Sequence, residues 1–398
     1  MIKREIYLKQ IRPFINKDII KVITGLRRSG KSCVLEQLRD EIIDSGVKSN
    51  HILYLNFESL KWSHLTDSAS LYDYINAFVQ NKKGKIYFFF DELQEVTNFE
   101  RVINSLRVDF NCDIYITGSN AELLSSELAT YLAGRYISFV IYPFGYKEVL
   151  QITGQEASDA SLNDFLIQGG MPAIYDLRLD GESAQKYFED LYNSVILKDI
   201  VKRYKIRDVD MLERIIHYAL DNIGRVFSSN SIVKYMKSER RKVSLETVMS
   251  YLNAANASHL IRQTKRNDVI GKKILKVDEK YYVADHGLRN AILGVEDLFS
   301  VIEQIIENVV GMELLRRGYK ISVGKVGTKA IDFIAEKRGK RAYYQVSYLL
   351  TSPETIDRAF GIYETIHDNY PKYVISMDKL NFSKNGIVHL SLLDFLTS

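Results

Sequence analysis

Cysteine is scarce in this chain. Cys33 and Cys112 are the only two among 398 residues, too few for a disulfide framework or a zinc knuckle, and the pair suits a reducing compartment. Five prolines and 22 glycines leave no room for collagen-like or long low-complexity tracts. No run approaches the ~18 apolar residues of a membrane span. Met1 to Phe14 carry Lys3, Arg4, Glu5, Lys9 and Arg12 with no apolar core between them, so no secretory leader is expected and the protein reads as cytoplasmic, without a membrane partner. What remains is globular: 46% apolar and 26% charged residues, over a length that fits roughly two to four domains.

Ile19 to Thr24 form a short apolar run. Gly25-Leu26-Arg27-Arg28-Ser29-Gly30-Lys31-Ser32 follow, and a helix-like stretch runs from Cys33 to Ile43. Strand, glycine loop and helix in that order make a phosphate cradle. Successive backbone N–H groups from Gly25 to Cys33 can wrap an anion at a helix N-terminus, Lys31 brings a positive charge to the outer phosphates, and the Ser32 hydroxyl can ligate Mg²⁺. The implied ligand is a nucleoside triphosphate. Ile86 to Phe90 are apolar throughout, as a strand covered on both faces must be, and end in Asp91-Glu92. An Asp there can hold the metal shell, while Glu92 can orient and deprotonate a water aimed at the γ-phosphate. That pairing favours hydrolysis over phosphoryl transfer.

Ile114 to Thr117 make a further strand running into Gly118-Ser119-Asn120, and Tyr136 to Ile141 another, after a helix from about Glu122 to Leu132. Alternating strands and helices predict a parallel α/β sheet. Ser119 or Asn120 then stands beside the glycine-loop strand, placed to sense the γ-phosphate or simply to close a polar turn. Arg135 follows that helix; it either caps it on the surface or reaches the nucleotide of a neighbouring subunit.

GLRRSGKS, FFFDELQEV, YITGSNAELLS and LAGRY resemble the AAA+ ATPases of bacteria and archaea. QGGMP (Gln168 to Pro172), LKDIVKRYKIRD (Leu197 to Asp208) and KYYVADHGLRN (Lys280 to Asn290) narrow the resemblance to members whose C-terminal region is a domain of unknown function. It spans nearly the whole chain. The resemblance implies the AAA+ strand order, with Lys31 and Ser32 as Walker A residues, Asp91 and Glu92 as Walker B, Asn120 with Ser119 as the first sensor, and Arg135 as a candidate arginine finger. ATP and Mg²⁺ are the implied cofactors, and a homo-oligomeric ring or arc the implied assembly. Gly169, Gly170 and Pro172 have no role in this reading.

The charge is uneven. Residues 201 to 290 hold 19 Lys and Arg against 10 Asp and Glu, an excess of nine, although the whole chain carries only +4. Local basic excess marks either a solvated face or a nucleic-acid footprint. Helical stretches at Met211 to Ile223, Ser231 to Lys237 and Leu245 to Asn256, with Ser228 and Ser244 at cap positions, precede strand-like runs at Leu260 to Lys265 and Ile274 to Val283. Three helices and a basic hairpin read as a winged helix-turn-helix. Arg240, Arg241, Lys242, Lys265, Arg266, Lys272 and Lys273 are then candidate contacts to the backbone of double-stranded DNA. The third helix offers Ser250, Asn253, Ala254 and Asn256 to solvent and no arginine, so non-specific binding is expected over base readout, with protein docking the other reading.

Val301 to Arg317 form a helix, followed by strands at Lys320 to Val323, Ala330 to Ala335 and Arg341 to Tyr348. Glu307, Asp332 and Gln345-Val346-Ser347 look like the spacing of the PD-(D/E)xK nuclease fold. However, Gln345 and Ser347 stand where a second carboxylate and a lysine belong, so a degenerate nuclease fold is expected. The expected architecture is an α/β P-loop core with helices on both faces of a parallel sheet (1–150), a helical lid (151–209), a winged helix (210–297) and a nuclease-like α/β domain (298–398). The expected function is a Mg²⁺-dependent, oligomeric, DNA-coupled ATPase. An ATP-controlled switch for a protein partner and an ATP-gated nuclease are the alternatives.

Overall fold

The computed structural model describes residues 2–120, 134–268, 273–295, 297–326 and 329–398, with side chains for all of these except 273–278. Two compact units emerge, one built on Ile2–Tyr142, the other on Pro143–Asn256 and Leu260–Ser398.

The first unit carries a five-stranded sheet: β1 (Ile20–Thr24), β2 (Ile52–Asn56), β3 (Ile86–Asp91), β4 (Cys112–Gly118) and β5 (Tyr136–Val140). Its order is β2-β3-β4-β1-β5, and every neighbouring pair is parallel. Strands β1 and β3 are buried at every position, which is why they read as unbroken apolar runs. Strand β2, absent from the sequence reading, alternates between buried and half-buried residues. Helices Ser68–Val79 and Phe99–Asp109 supply Leu71, Ile75, Val102, Ile103 and Leu106 to a core shared with Phe88, Phe90, Ile114 and Ile116. The parallel order puts the carboxyl ends of β1, β3 and β4 side by side, where ligands of such sheets collect. The helix expected at Glu122 to Leu132 lies outside the described residues.

The second unit opens with helices Tyr146–Thr153, Asp159–Gln168 and Gly181–Ser194, the last running into a π-helical segment, Val195–Lys202. Helix Val209–Asp221, strand β6 (Val226–Phe227), helices Ser229–Ser238 and Leu245–Ala257, and strands β7 (Ile261–Asp268) and β8 (Lys273–Val283) follow. The Ser228 and Ser244 hydroxyls accept from the Ser231 and Thr247 amides, so both expected caps form. Helix Ile302–Arg316 leads to β9 (Lys320–Val326), β10 (Lys329–Lys337) and β11 (Lys340–Val346), then to helix Pro353–Gly361, β12 (Lys372–Ser376) and β13 (Val388–Ser391).

These strands join into one sheet, β13-β12-β11-β10-β9-β7-β8-β6. Strand β7 pairs antiparallel with β8 on one edge and parallel with β9 on the other, through Arg266↔Val323, Asn267↔Gly324 and Asp268↔Lys325. The expected boundary at 297/298 therefore falls between elements of a continuous sheet.

The glycine pair of the QGGMP motif has a packing reason. A Cβ on Gly170 would lie 2.0 Å from the Phe144 carbonyl oxygen, far inside van der Waals contact. The Gly170 N–H donates to Asp285 Oδ2 at 2.7 Å, and Asp285 Oδ1 accepts from the Leu288 amide at 2.8 Å, capping helix His286–Leu293. The motif thus fastens one helix end against the DHG turn more than a hundred residues later. Pro172 begins the short helix Pro172–Asp176.

Candidate functional site

The loop between β1 and helix Lys31–Asp44 can be formed only by glycine at its first position. Gly25 has φ +151°, and a Cβ there would stand 2.2 Å from the Ile141 carbonyl oxygen. Arg28 is exposed and left-handed, at φ 62°. Leu26 is buried, and its carbonyl accepts from the Lys31 ammonium at 3.3 Å. Arg27 pairs with Glu58 at 3.2 Å. Cys33 is half-buried, its sulfur accepting from Gln37 at 3.4 Å. The Thr24 and Ser29 hydroxyls are buried without a hydrogen-bond partner among the described residues. Orphaned hydroxyls beside a glycine loop that leads into a helix N-terminus fit an anionic ligand.

Lys31, Ser119 and Glu92 converge beside this loop. The Lys31 ammonium is 3.1 Å from Ser119 Oγ and 3.4 Å from Glu92 Oε1, and the Ser119 hydroxyl lies 3.0 Å from both Glu92 oxygens. All three side chains are buried. Burial works to raise the Glu92 carboxyl, but the Lys31 charge and hydrogen bonds from Gln94 and Ser119 outweigh it and bring it below the usual range. Glu92 is thereby held ionised, as a base must be.

Asp91, one residue earlier, behaves oppositely. Full burial, reinforced by the neighbouring Glu92 charge, pushes its carboxyl up, against the pull of hydrogen bonds from Thr117, Ser32 and Tyr54. Tyr54 and Asn56 donate to Asp91 Oδ2 at 3.1 and 3.2 Å, and Thr117 donates to Oδ1. A divalent cation beside this carboxylate would reverse the shift. Among the described residues no group of three or more His, Cys, Asp and Glu side chains gathers to hold a metal. Mg²⁺ suits the pair Ser32 and Asp91 because it usually takes one or two protein oxygens and completes its shell with water and substrate phosphates.

Two residues outside the sequence reading belong to this site. Thr117 bonds the Asp91 side chain and, through the same hydroxyl, accepts from the Glu92 amide at 2.9 Å. Arg4 is almost fully buried, and its guanidinium donates to the carbonyls of Ser29 and Tyr142, both at 2.9 Å. The guanidinium thereby fixes the Ser29 carbonyl of the glycine loop. No local pattern marks Arg4, because its role depends on partners 25 and 138 positions away.

Asn120 is completely buried beyond the end of β4. Arg135 is exposed immediately before β5, its main-chain oxygen accepting from Ile20 at 2.9 Å and its side chain reaching Asn104 at 3.5 Å. Since Ile20 begins β1, Arg135 sits at the end of the sheet opposite the glycine loop.

In the second unit, Arg240, Arg241 and Lys242 line a 590 Å³ surface cavity with Lys237. Arg241 also pairs with Asp210, which takes up part of its charge. Lys265 is exposed on β7, while Arg266 is half-buried in a strand paired on both edges. Lys272 lies outside the described residues, and Lys273 opens β8 without a described side chain. On the third helix Ser250 and Asn253 are exposed as expected, but Ala254 is buried, because it falls on the core stripe with Val248, Tyr251 and Leu252. Leu245 and Met249 are exposed instead, at 40% and 49%. No helix among the described residues is long and apolar enough to cross a membrane.

Residues 17–150 match the family described as an AAA domain, and residues 159–298 match a domain of unknown function. A Haemophilus influenzae protein described as uncharacterized is 38% identical over 380 residues, covering 94% of this chain and 93% of its own. An uncharacterized Methanocaldococcus jannaschii protein is 30% identical over 375 residues, covering 88% and 78%. Among solved structures, Aeropyrum pernix Orc1 in complex with DNA aligns over 76% of this chain and 94% of its own, at 12% identity and a TM-score of 0.32. AMPPCP-bound DnaA of Aquifex aeolicus aligns over 63% and 85%, at 13% identity and a TM-score of 0.30.

Proposed function

The chain belongs to the AAA family of P-loop ATPases, and on that footing we propose that it hydrolyses ATP with Mg²⁺, as a homo-oligomer that couples turnover to double-stranded DNA. The observation that carries this reading is the buried triangle of Lys31, Ser119 and Glu92 beside Asp91. The loop amides from Gly25 to Cys33 cradle the phosphates, and Lys31 neutralises the outer ones. Ser32 and Asp91 would hold Mg²⁺, which when bound would supply positive charge to the phosphate oxygens. Glu92 takes the proton from the attacking water, so that water oxygen bonds phosphorus as the bond to ADP breaks. Ser119 and Asn120 report the γ-phosphate. Arg135, at the far end of the sheet, serves the nucleotide of a neighbouring copy in a ring or arc.

The DNA part rests on the second unit. Helix, short strand, two helices and a hairpin is the element order of a winged helix, and Arg240, Arg241, Lys242 and Lys265 are its backbone contacts. With β7 bonded on both edges, the hairpin contributes side chains rather than free main chain.

Steady-state hydrolysis at several protein concentrations, with and without double-stranded DNA and with Lys31→Ala as the blank, tests the whole reading. A rate that rises with concentration and with DNA supports it; a slow, flat, DNA-indifferent rate turns it down. A second reading, an ATP-controlled switch that docks a protein, is favoured by the exposure of Leu245 and Met249 on the helix that would read DNA. In that case Glu92→Gln preserves function.

A further inference from the structure

Lys280 sits on β8, outside the segment whose spacing looks nuclease-like, yet its side chain ends in the middle of that pattern. The ammonium lies 2.8 Å from Glu307 Oε1, on helix Ile302–Arg316, and 2.9 Å from Asp332 Oδ1, on β10. Tyr282, two residues on and therefore on the same strand face, donates to Glu307 Oε1 at 2.7 Å. The Val346 amide donates to Asp332 Oδ2 at 3.0 Å, bringing β11 against the same carboxylate. Lys280 and Asp332 are buried and Tyr282 is completely so.

One ammonium cannot neutralise two carboxylates. Burial, with the neighbouring Asp332 charge, pushes Glu307 up to about 7. Burial works to lower Lys280, but the attraction of Asp332 and Glu307 prevails and holds it above its ordinary value. Near neutral pH the Lys280 ammonium thus faces a Glu307 carboxyl that still holds part of a proton. A divalent cation would compensate both carboxylates at once, but it needs oxygen ligands at about 2.0 to 2.6 Å. A metal bridging Glu307 Oε1 and Asp332 Oδ1 would take the same atoms that the ammonium holds, so the two cations compete for that position.

We propose that Lys280 is a built-in cation: its ammonium stands between Glu307 and Asp332 where a divalent metal would sit, closing a metal-type site and pinning β8 to the C-terminal helix and sheet. The lysine that the pattern lacks at Ser347 is replaced by one from a different strand, which holds the carboxylates together rather than positioning a water. Phosphodiester cleavage is then not the work of this site.

The test is calorimetric titration of Mn²⁺ into the full-length chain, compared with its Asp332→Asn variant. The expected wild-type result is no site sensitive to Asp332→Asn up to about 1 mM metal. Lys280→Met, which keeps the aliphatic stem and removes the charge, gains one site per chain at least about tenfold tighter, and adding Asp332→Asn removes it. Lys280→Arg stays silent like the wild type. A wild-type Mn²⁺ site lost in Asp332→Asn overturns the proposal, as does a folded Lys280→Met that gains none. Should Lys280→Met not fold, plasmid incubated with wild-type protein and Mn²⁺ decides: intact plasmid upholds the proposal, and nicking abolished by Asp332→Asn refutes it.

Discussion

Lys31 and Glu92 lie 3.4 Å apart, bridged by the Ser119 hydroxyl. The group that would neutralise phosphate and the group that would activate water therefore hold each other in place. Phosphate must compete with the Glu92 carboxylate for the Lys31 charge. Replacing Glu92 with Gln removes that competitor and the base together. Glu92→Gln should bind ATP at least as tightly as the wild type while its turnover falls by about 10² to 10⁴. Equilibrium binding of a fluorescent ATP analogue and phosphate release, measured on the same preparation, check both halves.

Arg4 fixes the outer side of the glycine loop through Ser29. Arg4→Met should leave the loop carbonyl free to turn inward, raising the KM for ATP about tenfold, or ~1.4 kcal/mol. Loss of charge-assisted hydrogen bonds should also lower stability by about 3 kcal/mol. Arg4→Lys, which can reach only one carbonyl, should fall between. A KM unchanged in Arg4→Met would assign the residue to stability alone.

Arg135→Ala should lower turnover by about 10³ or more and erase any rise of specific activity with protein concentration. Mixing it with Lys31→Ala separates action in trans from action in cis. Recovery of activity in the mixture means that Arg135 of one chain serves the nucleotide of another, and no recovery means that it does not.

Gly170→Ala should destabilise the second unit by about 3 kcal/mol, because its Cβ would overlap the Phe144 carbonyl and displace Asp285 from the Gly170 amide. Urea unfolding followed by circular dichroism reads the change in midpoint.

Glu307 gives stability a pH dependence of defined sign. Its carboxyl is raised from 4.5 to about 7 in the folded chain, among Asp332, Lys280 and Tyr282. Between those values the folded protein keeps a proton that the unfolded chain has lost, so this stabilisation is present in acid and falls away as pH rises through about 7. Urea midpoints at about pH 5 and about pH 8 should differ by more in the wild type than in Glu307→Gln, which cannot titrate.

The glycine loop and the Asp91-Glu92 strand end were legible in the sequence because their chemistry lies within a few residues and their strands, covered on both faces, read as unbroken apolar runs. So were the three helices of the basic segment, with the serine caps of the second and third. β2 carries a weaker signal because its burial alternates between buried and half-buried, and Ala254 gives no sign of its buried side on the third helix, since a small side chain fits solvent or core equally well. Other features were decided by the tertiary structure alone. β7 pairs with β9 through Arg266↔Val323 and the two pairs that follow, merging two expected domains into one sheet. Arg4 reaches the glycine loop, the Gly170 amide reaches Asp285, and Lys280 lands between two carboxylates from other elements. Periodicity reports which face of a strand or helix is buried, and motif spacing reports chemistry held within one turn. Which distant side chain meets which is set by strand register and helix packing, and only the folded chain holds that information.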